Sequence, residues 1–472
     1  MEIFLPYVAG QFVESSLVHS IRNPFSGNEV AKACFADNAM MEEAIAKGAE
    51  AQKLLAKMPA WKRAEILHFI ADQLQENAQY HASLLATEAA KPLRYASTEI
   101  DRAIQTFRVA AEETKRINGE LIRMDWTKAG QGHEGIIKFM PVGLVAGISP
   151  FNFPLNLAVH KIAPAIAAGC PIVLKPASST PLSTMALARI LHMAGLPNGA
   201  VSVLPADRHV GNMLVTDPRI KLLSFTGSDT IGWKMKAEAG KKKTVLELGG
   251  NAGVIIAQSA HPDHLLDLCL QGAFAYSGQV CIHAQRFFVH AQHYDYFVDN
   301  MRRLALNLTC GAPELQQTEF SSMIDEPNAI RVHDWIQEAV NQGAELVCGG
   351  QRNGAFVDPT ILTHTHQQMK VNAEEIFGPV ITIQPFHHFE QAVQLLNHSR
   401  FGLQAGVFTN NIHEMDYSFA EIEAGGIILN NVPTLRFDHM PYGGIKDSGL
   451  GREGVKYAMQ DMLETKILVK SF

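Results

Sequence analysis

Cys281 stands in SGQVCIHAQR, after a glycine-containing turn and before an apolar run, a place where a thiol can sit at the mouth of a cleft and act as a nucleophile. Taken alone, a cysteine is more often a small buried apolar residue, so its companions decide. Glu247 in LELGGNAG closes a β-rich run immediately before two glycines. Burial raises the pKa of a carboxylate at an apolar strand end and prepares it to take a proton near neutral pH. Asn152, between two phenylalanines in SPFNFPLN, lies at a turn before a helical segment. Its amide could donate to an oxyanion, although turn and capping roles are the commoner use of asparagine. Lys175 ends the run PIVLKP, where a cation would face a cleft at the carboxyl edge of a sheet. In SFTGSDTIG a strand leads through Gly227 and Ser228 into a helix containing Gly232, and N–H groups at such a helix start can cradle a pyrophosphate. The stretch lacks the G-x-G-x-x-G fingerprint, and many strand-to-helix turns contain glycine.

These residues need a scaffold that brings distant strand ends together. Residues 38–58 and 61–91 alternate apolar and charged side chains at three- and four-residue spacing, which predicts helices packed on a sheet. From Val142 the texture changes to short apolar runs between helical segments: GLVAGIS, PIVLKP, VSVLP, KLLSFTG and GVIIA. After Asn251 the rhythm resumes with RFFVH, ELVCGG, VITIQPF, AGVFT and GIILNN. That alternation predicts α/β architecture with two parallel-sheet, Rossmann-like domains and a site between them. A hairpin over 119–140, turning at KAGQG, and a final strand over 465–472 fit neither domain. Both would present edges that another subunit could cover.

The chain has 472 residues, 47% of them hydrophobic, enough for two or three cores. A net charge of -7 with 18% charged residues points away from nucleic acid and towards a small-molecule partner. The six cysteines form no C-x-x-C pair, so neither a zinc knuckle nor a disulfide framework is expected, and a reducing cytoplasm fits. Residues 139–159 carry no charge, yet three prolines and two asparagines argue for strand, turn and helix over a membrane span. His364, His366, His387 and His388 lack metal-ligand spacing and read as solvated loop residues, so no metal is expected. Lys241, Lys242 and Lys243 read as cations near a helix C-terminus.

PFNFPL, IVLKPAS, FTGS, LELGG, GQVC, EEIFGPV and PYGGIKDSGLGREG follow one another in an order that resembles the aldehyde dehydrogenase superfamily over nearly the whole chain. The resemblance implies that family's fold: an NAD(P)-binding domain of residues 1–118 and 140–250, a catalytic domain of 251–454, and an oligomerisation element of 119–139 and 455–472. It further implies Cys281 as nucleophile, Asn152 as oxyanion donor beside the Cys281 N–H, and Glu247 as the base that activates water. Lys175 would hold a cofactor ribose, Gly227 and Ser228 the pyrophosphate, and Glu375 the nicotinamide ribose with Phe377 near the ring. Without the resemblance, Glu374 and Glu375 would read as loop charges.

Many NAD-using relatives carry an acidic residue three positions after the motif lysine, and here that position is Ser178. With no carboxylate to repel a 2′-phosphate, NADP should be used at least comparably with NAD. NNVPTLRFDHMPYGGIKDSGLGREG resembles the branch holding lactaldehyde, glyceraldehyde-3-phosphate, phosphonoacetaldehyde and semialdehyde dehydrogenases, whose substrates are small and often anionic. Arg436 is the cation expected nearest such a group, with a structural salt bridge as its other reading. The resemblance also implies a homodimer or homotetramer. A CoA-acylating relative and a non-catalytic descendant are the alternatives; Glu247 argues against the first and the intact residue set against the second.

Overall fold

The computed structural model describes residues 2–472. Helix Asn38–Lys57 starts where Asp37 accepts from Met40 N–H at 2.9 Å, and it buries Met41, Ala44, Ile45, Ala51 and Leu55 along one face. The stretch 61–91, expected to be one helix, is two. Ala60–Glu76 ends at Asn77, Ala78–Ala89 follows, and Ala90 closes it at φ +50°. A further helix not foreseen, Leu93–Thr114, packs on both Ala60–Glu76 and Asn156–Ala168. All thirteen residues of Asn156–Ala168 are buried. The uncharged stretch 139–159 is therefore strand, turn and the start of a core helix, and no helix among the described residues is long and apolar enough to cross a membrane.

The foreseen strand runs form two main sheets. In the first, the parallel strands lie in the order Lys243–Glu247, Ile220–Thr226, Leu144–Ile148, Ile172–Lys175, Val201–Val203, with antiparallel pieces at both edges. The outer pieces near the amino terminus, Tyr7–Val8 and Gln11–Phe12, had no counterpart in the sequence reading because two-residue strands carry no period. The second sheet runs Glu345–Cys348, Thr360–Thr363, Val380–Phe386, Ala284–His290, Ala252–Ile256, Gln404–Phe408, Gly426–Leu429. Its strands are parallel except Glu345–Cys348. GVIIA thus opens the second sheet. The architecture is α/β, as expected.

The hairpin and the last strand form a separate three-stranded antiparallel sheet in the order Leu463–Ser471, His133–Pro141, Glu120–Arg123. Nearly all of Leu463–Ser471 is exposed. The helix just before it, Val455–Asp461, instead packs Val455 and Met459 into the first core. Of the three consecutive lysines, Lys243 belongs to a strand rather than a helix end, and its ammonium reaches the Leu463 carbonyl at 3.1 Å.

Candidate active site

Parallel strands of the first sheet end at Ile148, Thr226 and Glu247 on a cavity that the loop of Glu375 and Phe377 also lines. Both Glu247 oxygens are buried without a hydrogen-bond partner. Burial, and then repulsion from Glu453, hold the carboxyl well above its usual pKa, while Arg436 and Lys161 pull the other way. Gly443, at φ +155°, makes this fit possible: a Cβ there would lie 2.7 Å from Glu247 Oε1.

Cys281 follows a turn in which Tyr276, Ser277 and Gly278 have φ of +49°, +53° and +67°. The turn is pinned by Tyr276 Oη donating to the Ala89 carbonyl at 2.9 Å and Ser277 Oγ donating to the Ser321 carbonyl at 2.6 Å. The Cys281 sulfur lies 3.0 Å from Tyr442 Oη. Burial pushes its thiol up to about 11 against the hydrogen bond to Tyr442 and the charge of Arg436. Asn152 Nδ2 donates to the Gln279 carbonyl at 2.9 Å, two residues before Cys281, which leaves its second N–H free.

Cys281 lines two cavities at once. One, of about 710 Å³, also exposes Asn152, Glu247, Gly227, Ser228, Glu375 and Phe377. The other, of about 350 Å³, is walled by Arg102, Asn156, Tyr276, Arg436 and Tyr442 among others. A thiol, a carboxylate and an amide therefore meet where two clefts join, a layout suited to joining two small molecules through a sulfur.

Residues 12–468 match the model of the aldehyde dehydrogenase family. The chain belongs to that family. It is 38% identical to a 3-sulfolactaldehyde dehydrogenase of Priestia aryabhattai over 98% of this chain and 97% of that one. Among solved structures, aldehyde dehydrogenase 21 of Physcomitrella patens in complex with the reaction product succinate is 43% identical, with TM-score 0.98 over 100% of this chain and 98% of that one. The NADP-dependent glyceraldehyde-3-phosphate dehydrogenase of Bacillus halodurans, complexed with NADP, is 34% identical with TM-score 0.96 over 100% and 99%.

In this aldehyde dehydrogenase the larger cavity collects most of the foreseen cofactor residues. Ser228 precedes helix Asp229–Glu238 and its side chain makes no capping bond. Glu375 Oε1 accepts from the Gly250 N–H at 3.0 Å, and burial pushes its carboxyl up to about 7. Phe377 meets Phe151 edge to face at 5.7 Å. Lys175 and Ser178 stand just outside this wall. Lys175 Nζ bonds the Pro176 carbonyl at 3.4 Å and Ser178 Oγ the Ala206 carbonyl at 3.2 Å. Ala177 between them is in the wall, and so is Arg208, a cation the sequence reading missed.

Arg436 pairs with Glu453 at 2.8 Å, the structural reading foreseen for it, and also lines the smaller cavity. Its guanidinium also covers the Tyr442 ring at 3.6 Å. Behind it lies a buried network that sequence reasoning did not find. Lys161 Nζ reaches Thr226 at 2.7 Å and Glu453 at 3.4 Å, and His160 meets Asp438 at 2.8 Å. Asp438 receives Arg102 through two hydrogen bonds of 2.7 and 3.1 Å. Tyr442 and Glu453 sit in PYGGIKDSGLGREG, the one place in the sequence that could have drawn attention to them. Arg286, by contrast, spends its donors on the carbonyls of Asn251, Leu395 and Leu396. The four singled-out histidines are exposed.

Proposed function

We propose that this chain oxidises a small, anionic aldehyde to its carboxylic acid with NAD(P), and that it uses NADP at least as readily as NAD. The observation that carries the reading is the position of Cys281 at the junction of the two cavities, with Glu247 and Asn152 beside it. The aldehyde enters from the smaller cavity. Cys281, once deprotonated, attacks its carbonyl carbon, and the Asn152 amide donates to the alkoxide of the thiohemiacetal. The bound nicotinamide supplies a hydride acceptor. Loss of hydride from the former aldehyde carbon leaves a thioester on Cys281. Glu247 then takes a proton from water, the hydroxide adds to the thioester, and the Cys281 thiolate leaves with the carboxylic acid released.

The larger cavity fits the cofactor by its chemistry. Gly227 and Ser228 offer a helix start to a pyrophosphate, Glu375 offers acceptor oxygens to ribose hydroxyls, and Phe377 offers an apolar surface to a ring. Lys175 and Ser178 at the end of the Ile172–Lys175 strand, with Arg208 nearby, would surround the adenine ribose without any carboxylate among the three. Relatives complexed with NADP support the same choice. An anionic substrate is supported by Arg436 and Arg102 on the smaller cavity and by the succinate complex of the moss relative. We also assign 1–118 with 140–250 to cofactor binding, 251–454 to catalysis, and 119–139 with 455–472 to assembly into at least a dimer. Leu121, Ile467 and Leu468, each about half exposed or more, support that assembly.

The deciding experiment follows NAD(P)H absorbance with an aldehyde panel, with and without CoA. Oxidation independent of CoA, fastest for short anionic aldehydes, is expected. Absolute dependence on CoA would replace hydrolysis by acyl transfer to a thiol, and no turnover with any aldehyde would overturn the reading.

A further inference from the structure

Tyr442 stands in the run MPYGG, and its backbone pairs with Glu453 in both directions, the Tyr442 N–H donating at 3.0 Å and the Glu453 N–H at 2.6 Å. Glu453 in turn accepts from Arg436 at 2.8 Å, and the Arg436 guanidinium covers the Tyr442 ring at 3.6 Å. Ile282 and Leu403 pack with that ring. Backbone, cation and apolar neighbours thus fix the side chain and carry its hydroxyl to one atom. Oη lies 3.0 Å from Cys281 Sγ and makes no other hydrogen bond among the described residues. A phenylalanine would supply every other contact of the ring, so the sulfur is the one contact that needs the hydroxyl.

The surroundings decide which group donates. Burial holds the Tyr442 phenol well above its ordinary value, so it keeps its proton and has it to give. A neutral thiol is a weak acceptor, whereas a thiolate takes a charge-assisted hydrogen bond. The phenol O–H therefore favours the ionised sulfur, the more so in an apolar setting where little water competes. Other charges face the same atom, Arg436 favouring the thiolate and Glu375 and Glu247 opposing it. The neighbouring Gly443 lies against Glu247, so two consecutive residues address the nucleophile and the base.

We propose that Tyr442 is a catalytic residue whose phenol O–H donates to the Cys281 thiolate before attack, and to the same sulfur again as the thioester breaks. The thiol proton leaves to water, and Tyr442 keeps its own throughout. As sulfur bonds to the aldehyde carbon, the negative charge passes to the carbonyl oxygen, where Asn152 donates. After hydroxide adds to the thioester and the C–S bond breaks, the electron pair returns to sulfur, where Tyr442 donates. Two donors thus serve the two atoms between which the charge moves. The proposal rests on the reading of Cys281 as nucleophile.

Tyr442→Phe removes the oxygen alone and keeps the ring under Arg436, so the melting temperature should hold. The full-length enzyme is alkylated with iodoacetamide across a pH series, and each cysteine peptide is followed by mass spectrometry. The exposed Cys310 serves as the control in the same sample. In the variant the inflection of Cys281 alkylation should move up by about one pH unit, and its rate at neutral pH should fall about tenfold. Cys310 should not change. For 4-oxobutanoate at saturating NADP, kcat/KM should fall about tenfold at neutral pH and approach the wild type as pH rises, since alkali then ionises the thiol unaided. Tyr442→Met, which also lacks the donor, should reproduce the shift. An unmoved Cys281 inflection, a shift that Cys310 shares, or an equal loss of kcat/KM at every pH would overturn the role of Tyr442. Alkylation of Cys281 that left oxidation intact would instead overturn Cys281 as the nucleophile.

Discussion

The two cavities that meet at Cys281 are built in different ways. The larger is walled by strand ends and the turns that follow them: Gly227 and Ser228 after one strand, Glu247 to Gly249 after another, and the loop of Glu375 and Phe377. The smaller is walled by side chains from elements far apart in the chain, with Tyr95 and Arg102 from a helix, Gln271 from another, and Arg436 and Tyr442 from a loop. Where backbone shape makes the wall, a short motif preserves it. Where side chains converge from distant helices, each can change alone, and the wall leaves no contiguous trace in the sequence.

If the junction itself is the chemical centre, its loss outweighs everything on either side. Cys281→Ala should abolish oxidation, while Glu247→Gln should still form a thioester and release it slowly, visible as an acyl adduct by mass spectrometry. Normal turnover by either variant would remove that residue from the mechanism. Asn152→Ala should cost about a hundredfold or more in kcat through the lost oxyanion donor, read in steady-state kinetics.

On the smaller side, Arg436→Lys keeps the charge but loses the planar guanidinium whose Nη2 bonds Glu453 and whose face covers the Tyr442 ring. Activity on 4-oxobutanoate should fall by roughly tenfold or more in kcat/KM, with propanal less affected. An equal fall on both would make Arg436 a purely structural partner of Glu453. On the larger side, Ser178→Glu should shift preference towards NAD by about ten- to a hundredfold, measured as kcat/KM for each cofactor at saturating aldehyde. A preference that stays put would transfer the decision to Arg208 or Lys175.

The smallest effect concerns pH and tests whether the network behind Arg436 reaches the junction. Burial and the negative charge of Glu453 raise the Glu247 pKa. Deacylation needs the ionised carboxylate, so its rate should rise as pH passes that raised value. Glu453→Gln removes a negative neighbour and leaves Lys161 and Arg436 less neutralised, both of which favour ionised Glu247. The acid limb of the deacylation profile should therefore move to lower pH, by roughly one unit or less. A limb that stays fixed or moves upward would uncouple Glu453 from Glu247.

The foreseen strand runs became strands, and Glu247, Asn152 and Cys281 converge, because period and motif both report local backbone geometry. The fold departed from expectation where geometry is not local. Asn77 interrupts a run whose apolar spacing continues across it, so periodicity alone reads one helix where there are two. The edge strands of two residues each are too short to carry a pattern. At the site, Lys175 and Ser178 were assigned by analogy to a cleft whose wall passes between them through Ala177. Tyr442 and Glu453 lie 161 and 172 positions after Cys281 in the chain, within a glycine-rich run whose side chains say nothing of their destination until the fold is known.

The turn before Cys281 holds two non-glycine residues in the left-handed region, each at a cost of about 1–2 kcal/mol. Ties to its surroundings keep it there: Tyr276 to the end of helix Ala78–Ala89, Ser277 to the carbonyl of Ser321, and Gln279 to the Asn152 amide and the Ile324 N–H. On warming, those ties can part well before either sheet melts, and the turn would then relax to an ordinary conformation and carry the sulfur away from Asn152 and Glu247. Because this local loosening leaves both sheets intact, heat should silence the enzyme while its circular dichroism is still native.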